Sequence, residues 1–270
     1  MLDLQGSSIS RPYAIQNVGV TGLQYPFTAE VQGSAFRAAG LWSLGVALPE
    51  SQRGAHMSRF VECIDGLGDR PVSMAGLVEF CKQVSGRLEA ERTRCAVEFT
   101  WFRRVKAPVS GMQSYNPHRV RWSVDWFDEG TARDVKAHEK PGVELEVEVA
   151  VKALCPCSKA ISDRGAHNQR STVTVSLSAP AAAVSNVPAL DRIVAMVESH
   201  ASAPVYPLLK RADEKFVTER AYDHPVFVED LVRAVADSLG DMPGIGAWKV
   251  HVRNHESIHA HDCFAEINSK

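Results

Sequence analysis

The sequence predicts an α+β fold in which antiparallel sheets carry helices on one face. Two observations predict it. Segments rich in β-branched and aromatic residues alternate with period two and come in runs, and between the runs the apolar period becomes helical. The order strands, two helices, strands then recurs after a join near residue 135, as a repeat of architecture rather than of sequence. Two units are therefore expected, 1–135 and 136–270, the second carrying most of the chemically suggestive residues.

Each element has its own signal. Residues 16–50 read as two strands, the second built around LWSLGVALP. A polar stretch, ESQRGAHMS, leads into a helix near 57–66, and a second helix over about 73–93 gathers Met74, Leu77, Val78 and Cys81 on one side. AVEFTWFRRV at 96–105 is a strand, and at 119–128 Val120, Trp122, Val124 and Trp126 give a strong period of two. VELEVEVAVKAL (143–154) and STVTVSLSA (171–179) continue the strands. Ile193, Met196 and Val197 mark a helix over 190–201. Another is expected over 225–240, with Pro225 in its first turn, a stripe of Phe227, Leu231, Val235 and Leu239, and Gly240 at its end. Strands near 247–253 and 259–267 finish the chain.

Composition narrows the function. With 45% hydrophobic and 23% charged residues in 270, the chain is ordinary for a globular protein. A net charge of −2 gives no general pull toward nucleic acid or membrane, so neither is expected as a partner. The absence of a long apolar run and of a basic, then apolar, leader makes a cytoplasmic location the expectation. Six cysteines are too sparse for a disulfide scaffold, and Cys63 and Cys81 read as buried helix positions. A phosphate-binding G-x-x-x-x-G-K-[ST] loop is missing, and so is an H-E-x-x-H helix. Pro156-Cys157 lacks the second cysteine of a zinc deaminase.

Three polar blocks stand out. In LCPCSKAISDRGAHNQRS (154–171), Cys155 and His167 are twelve positions apart across a loop, and thiolate and imidazole suit zinc and similar borderline metals. Cys155 and Cys157 flank a rigid proline, which favours one ligand and one bystander; a reduced pair in a strand-end turn is the structural alternative. In NHESIHAHDC (254–263), an extended backbone would point His255, His259 and His261 to one face; the alternative is an exposed hairpin. In LLKRADEKFVTERAYDHPVFVED (208–230), Lys210 and Arg211 beside Asp213 and Glu214 suit phosphates and a metal together, although such charge usually marks a solvated face. Glu229 lies near the start of a helix, where the dipole favours an ionised carboxylate. His118, His138 and His200 stand alone and read as surface residues.

The segments GAHMSRF, APVSG, LCPCSKAISDRGAHNQRS, LLKRADEKFVTERAY, FVED and ESIHAH, in this order over about residues 14–267, resemble type IB GTP cyclohydrolase. That resemblance implies a tunnelling fold with two T-fold units per chain, a homotetramer with active sites at subunit interfaces, and one divalent metal per site: zinc, manganese or iron. It implies Cys155, His167, Glu214 and His259 as metal-site residues and Glu229 as the anchor of the purine ring, its carboxylate accepting the N1–H and 2-amino hydrogens of guanine. His259 or His261 would shuttle protons, and Lys159, Lys210, Arg211 and Arg59 are candidates for the triphosphate by charge and motif membership. The implied reaction is hydrolysis of GTP at C8 of guanine, releasing formate and giving 7,8-dihydroneopterin triphosphate for folate synthesis. Two other readings compete: a tunnelling-fold nitrile reductase of queuosine synthesis, and a non-enzymatic protein with a closed structural metal site.

Overall fold

A computed structural model describes residues 13–128, 140–242 and 245–269. The join expected near 135, and His138, lie outside them. The chain divides into two units, one of Met1–Phe99, Arg121–Leu145 and Ser178–Val187, the other of Thr100–Val120, Glu146–Leu177 and Pro188–Lys270.

In the first unit β1 (Ile15–Val31) and β2 (Ser34–Leu48) form a long antiparallel hairpin. Its turn is Gln32-Gly33, both with positive φ (51° and 77°), a conformation that glycine adopts without strain. The hairpin continues antiparallel to β4 (Arg92–Lys106), and the two-residue β3 (Pro71–Val72) runs parallel to β1. Helices α1 (Met57–Asp65) and α2 (Met74–Leu88) belong here. A chain of edge-to-face rings fills this core: Phe27 against Trp42 (centroids 5.1 Å apart) and Phe99 (5.5 Å), and Phe99 against Trp122 (4.8 Å). Helix α2 stops five residues before the sequence reading ends it. Glu89 turns left-handed (φ 53°) and gives its N–H to Ser85, in a stretch with no glycine to announce the stop.

Strands β5 (Gln113–Phe127), β6 (Gly142–Leu154) and β7 (Asn168–Pro180) are divided between the units, as β4 is. The second unit adds α3 (Pro156–Ile161), α4 (Leu190–His200), β8 (Ala203–Pro204), α5 (Arg211–Asp223), α6 (Val228–Gly240), β9 (Ala247–Asn254) and β10 (Cys263–Asn268). Its strands run in the order β10-β9-β7-β6-β5-β4, with β8 on β6. Helix α6 packs on β9, β10 and α4, burying Leu231, Val235 and Leu239 of the expected stripe, whereas Phe227, its fourth member, is the exposed N-cap. It begins at Val228 rather than at Pro225, because the Val226 N–H is given to the carbonyl of Leu154 on β6.

The alternation in β5 holds for Val120, Trp122 and Val124, which are buried, and breaks after them, where Trp126 is half-buried and Phe127 buried. His118 is on that buried face, which corrects the surface reading. Its Nδ1 lies 3.1 Å from the Glu148 carbonyl, and burial holds its pKa below the ordinary value. His200 is half-buried and bonded to Ser238 Oγ at 2.8 Å. The cysteines Cys63 and Cys81 are buried on α1 and α2 as expected.

Leu231 is fully buried on the helix that carries Glu229, whereas Arg233 is exposed and bonded to Asp230 three residues before it. Leu231→Ala is expected to cost about 2–5 kcal/mol in denaturant unfolding, and Arg233→Ala less than about 0.5 kcal/mol. Equal costs would show that α6 is not seated through this stripe.

Candidate active site

The site is assembled around the end of β6. The Cys155 N–H bonds to the His167 carbonyl at 3.1 Å, closing the loop between β6 and β7. Cys155 caps α3: its sulfur lies 3.5 Å from the Ser158 N–H, and the Ser158 hydroxyl in turn accepts the His167 N–H at 3.2 Å. Pro156 supplies the first helical residue, where a missing N–H costs nothing. The sequence reading left this short helix as loop, since six residues carry no apolar period and bury no side chain. Cys155 is half-buried at the cap while Cys157 is exposed on α3, so the two thiols have different surroundings, as one ligand and one bystander would.

The Leu154 carbonyl, in the same peptide group as the Cys155 N–H, accepts from Val226 at 3.1 Å and so draws in the segment that starts α6. Cys155, Gln169, Phe227, Glu229, Glu256 and Cys263 consequently line one cavity of about 450 Å³. That volume is within the roughly 300–1,000 Å³ of small-molecule sites. Glu229 stands exposed in the first turn of α6, where its charge is favoured by the helix N-terminus.

A third bond, His255 N–H to the Arg170 carbonyl at 3.0 Å, brings the connection between β9 and β10 to β7. That connection is a bent loop and not the extended strand expected from 259. His255 therefore leaves the trio: Thr172 Oγ1 lies 2.9 Å from its Nε2 and Asp262 3.3 Å from its Nδ1. His259 and His261 nevertheless meet, stacked with centroids 5.2 Å apart and planes inclined by 19°, and His259 lies 6.5 Å edge-on from the His167 ring.

The other candidates are less gathered. Glu214 is exposed in the first turn of α5, as are Lys210 and Arg211 at its start. Lys159 bonds to the Tyr222 carbonyl and lies over the Tyr222 ring, 4.2 Å from its centroid. Arg59 is exposed on α1 of the first unit. Among the described residues of the single chain, no three His, Cys, Asp or Glu side chains converge closely enough to hold a metal ion. The donor chemistry still suits one. The Cys155 thiol, the His167 imidazole and Glu256 are all at this end of the second unit, and Glu256 Oε2 is buried without a partner. At Cys263, burial, then the charges of Glu256, Glu229 and Asp262, push the thiol up and keep it protonated.

Asp213, grouped in the sequence with Lys210, Arg211 and Glu214 as suited to phosphates and a metal, is instead taken up by hydrogen bonds within the fold. It is fully buried, and its carboxylate accepts from the N–H groups of Val109 (2.8 Å), Ser110 (2.8 Å) and Lys210 (2.9 Å) and from the Ser110 hydroxyl (2.6 Å). Two motifs remote in sequence, APVSG and KRADEK, thus meet at one carboxylate. Its spacing with Val217 and Ala221, all three buried on α5, was the available signal. Gln169 and Glu256 carry no chemical signal of their own in the sequence; both lie inside motifs marked by a cysteine and histidines.

Comparison with known proteins follows the same motifs. The family profile described as type I GTP cyclohydrolase folE2 matches residues 1–265. GTP cyclohydrolase FolE2 of Bordetella petrii is 42% identical over 268 residues, covering 99% of this chain and 96% of the relative. GTP cyclohydrolase FolE2 of Methylococcus capsulatus is 40% identical, covering 98% and 93%. Among solved structures, urate oxidase from Bacillus subtilis 168 superposes with a TM-score of 0.53 at 9% identity, covering 94% of this chain and 98% of that one. A hyperthermostable mutant of Bacillus sp. TB-90 urate oxidase gives 0.54 at 10% identity, covering 94% and 99%. These two likenesses speak for the fold alone.

Burial raises the Asp213 carboxyl, but the Ser110 hydroxyl and the three N–H groups outweigh it and hold it well below the usual carboxylate range. A depressed folded-state pKa contributes stability above the unfolded value of about 3.9, and that stability is lost as pH falls below it. The thermal midpoint of the wild-type protein is therefore expected to fall more steeply between about pH 5 and 3 than that of Asp213→Asn. Parallel curves would mean that Asp213 does not hold the loop as a carboxylate.

Proposed function

The chain belongs to the type I GTP cyclohydrolase FolE2 family, and on that premise we propose that it converts GTP and water to formate and 7,8-dihydroneopterin triphosphate, the first step of tetrahydrofolate biosynthesis. The observation that carries the reading is the cavity lined by both Cys155 and Glu229, residues 74 positions apart that are the metal and purine ends of the resemblance. We propose two T-fold halves, 1–135 and 136–270, a homotetramer in the cytoplasm, and one divalent ion per site, zinc, manganese or iron. The likeness to urate oxidases, which are T-fold proteins, supports the halves. The exposed face of β10, with Phe264 70% accessible at the edge of its sheet, supports the assembly.

In this reading Glu229 accepts the N1–H and 2-amino hydrogens of guanine, which turns C8 toward the Cys155 end of the cavity. Adenine presents an acceptor at N1 and no 2-amino group, so the same carboxylate rejects it. Cys155, His167, Glu214 and His259 would hold the ion. Bound there, it supplies Lewis acidity and draws the pKa of a coordinated water toward neutrality. Of the stacked pair, His261 is the better placed to carry protons if His259 is a ligand, imidazole being a side chain that can both accept and return one. Two hydrolytic steps then break the bonds of C8 and release it as formate, and rearrangement of the ribose with ring closure, which returns one water, gives 7,8-dihydroneopterin triphosphate. Lys210 and Arg211, at the N-terminal end of α5, are the stronger candidates for the triphosphate, where the helix dipole also favours an anion. Lys159 must first leave Tyr222, and Arg59 would act from the first unit.

The test is incubation with GTP and manganese, zinc or iron(II), followed by formate and fluorescent pterin after oxidation. Product is expected with at least one ion and without a nicotinamide cofactor; no formate with any ion would overturn the assignment. Glu229→Gln replaces one acceptor with a donor facing a donor. It is expected to keep its metal content and lose roughly 100-fold in kcat/KM, since a buried donor left unpaired costs a few kcal/mol. Unchanged turnover would remove Glu229 from the site.

A further inference from the structure

An imidazole can give a metal only a nitrogen that carries no proton, so a histidine ligand needs its remaining proton held on the other nitrogen. In water neutral histidine prefers the proton on Nε2. A histidine that is to ligate through Nε2 must therefore be held in its less favoured form by a hydrogen-bond acceptor at Nδ1.

His167 has such an acceptor. Its Nδ1 lies 3.1 Å from Gln169 Oε1, two residues along the same strand start. The Gln169 amide nitrogen donates to Glu256 Oε1 at 3.3 Å. Both partners are buried, Gln169 at 8% residue exposure and Glu256 at 8% side-chain exposure, so water does not compete freely for these bonds. The other Glu256 oxygen is buried without a partner, 3.9 Å from the same Nδ1 and beyond hydrogen-bond reach.

The polarity of the chain has one consistent solution. A carboxylate accepts and does not donate, so the amide nitrogen of Gln169 must face Glu256. The amide oxygen then faces the imidazole, and it also only accepts. Nδ1 is therefore the nitrogen that carries the proton, and Nε2 is left bare. Turning the amide over would set its oxygen against the carboxylate, two acceptors opposed in a buried site. The backbone on either side is already fixed, by the His167 N–H on Ser158 Oγ and the His167 carbonyl on the Cys155 N–H.

We propose that Gln169 is a positioning residue that holds His167 as its Nδ1–H tautomer and keeps Nε2 free for a divalent metal, with Glu256 setting the orientation of Gln169. The proposal rests on the metal-site reading of His167 given above. It adds two residues to that site, neither of which need touch substrate or metal for this role.

The test reads the tautomer directly. Metal-free protein labelled with ¹⁵N-histidine is taken to a pH above neutrality, and long-range ¹H–¹⁵N spectra are recorded; zinc affinity is measured separately by competition with a chromophoric chelator. Wild type is expected to show His167 protonated at Nδ1. Gln169→Met keeps the bulk and removes the acceptor; the proton is expected to move to Nε2 and zinc affinity to fall about 10- to 100-fold. The double exchange Gln169→Glu with Glu256→Gln reverses the bond between the two side chains but keeps an acceptor facing His167 Nδ1, and both tautomer and affinity are expected to return toward wild type. A role in packing alone would not produce that recovery. An Nε2–H tautomer in wild type, or a folded Gln169→Met variant with wild-type tautomer and affinity, overturns the proposal. A wild type that shows the Nδ1–H tautomer but binds no zinc, manganese or iron overturns instead the metal reading on which it rests.

Discussion

The peptide group between Leu154 and Cys155 is the constraint on which the site depends. Its carbonyl accepts from Val226 and its N–H donates to the His167 carbonyl, both at 3.1 Å. A peptide group is planar, so these two bonds point to opposite sides of one rigid plate at the end of β6. One side fixes where α6 begins, and with it Glu229. The other closes the loop that returns to β7, and with it His167 and Gln169. Leu154 is itself held from its own N–H by the buried Ser202 hydroxyl at 3.0 Å. A thiol, an imidazole and a carboxylate from three separate segments therefore take their places from a strand end that is almost wholly buried.

The same logic explains which parts of the molecule were legible in the sequence. The long strands were, because residues such as Val120, Trp122 and Val124 report which face is buried, and burial is what alternation encodes. Helix α6 was, because Leu231, Val235 and Leu239 make a wide stripe. Helix α5 was not. Its buried line is only Asp213, Val217 and Ala221, one of them charged, and the rest of RADEKFVTERAYD reads as solvated surface. Hydrophobic periodicity cannot see a helix that is seated by a hydrogen-bonded carboxylate.

The site divides in the same way. Cys155, His167 and Glu229 were readable because their residue types are chemically suggestive and their motifs distinctive. The partners that orient them were not, since a glutamine such as Gln169 or a carboxylate such as Glu256 is unremarkable until its neighbours are known. The histidine loop shows the converse. His259 and His261 were expected together because an extended strand would align them. They are together in a bent loop, stacked, while His255 is turned away to Thr172 and Asp262. The two come together for a different backbone reason, the tertiary bond from His255 to Arg170 that bends the loop.

Asp213 and the Leu154–Cys155 peptide solve one problem in two ways. Each converts a buried polar group, costly if left alone, into a junction that ties distant segments together. On the proposed reading the chemistry rests on the single sulfur that the second junction presents. X-ray absorption at the edge of the bound metal tests this most directly, on wild-type protein and on Cys157→Ala. The expected result is one sulfur neighbour, at about 2.3 Å for zinc, among nitrogen and oxygen neighbours in both proteins. A shell of nitrogen and oxygen alone in wild type, or a sulfur neighbour that disappears in Cys157→Ala, would contradict it.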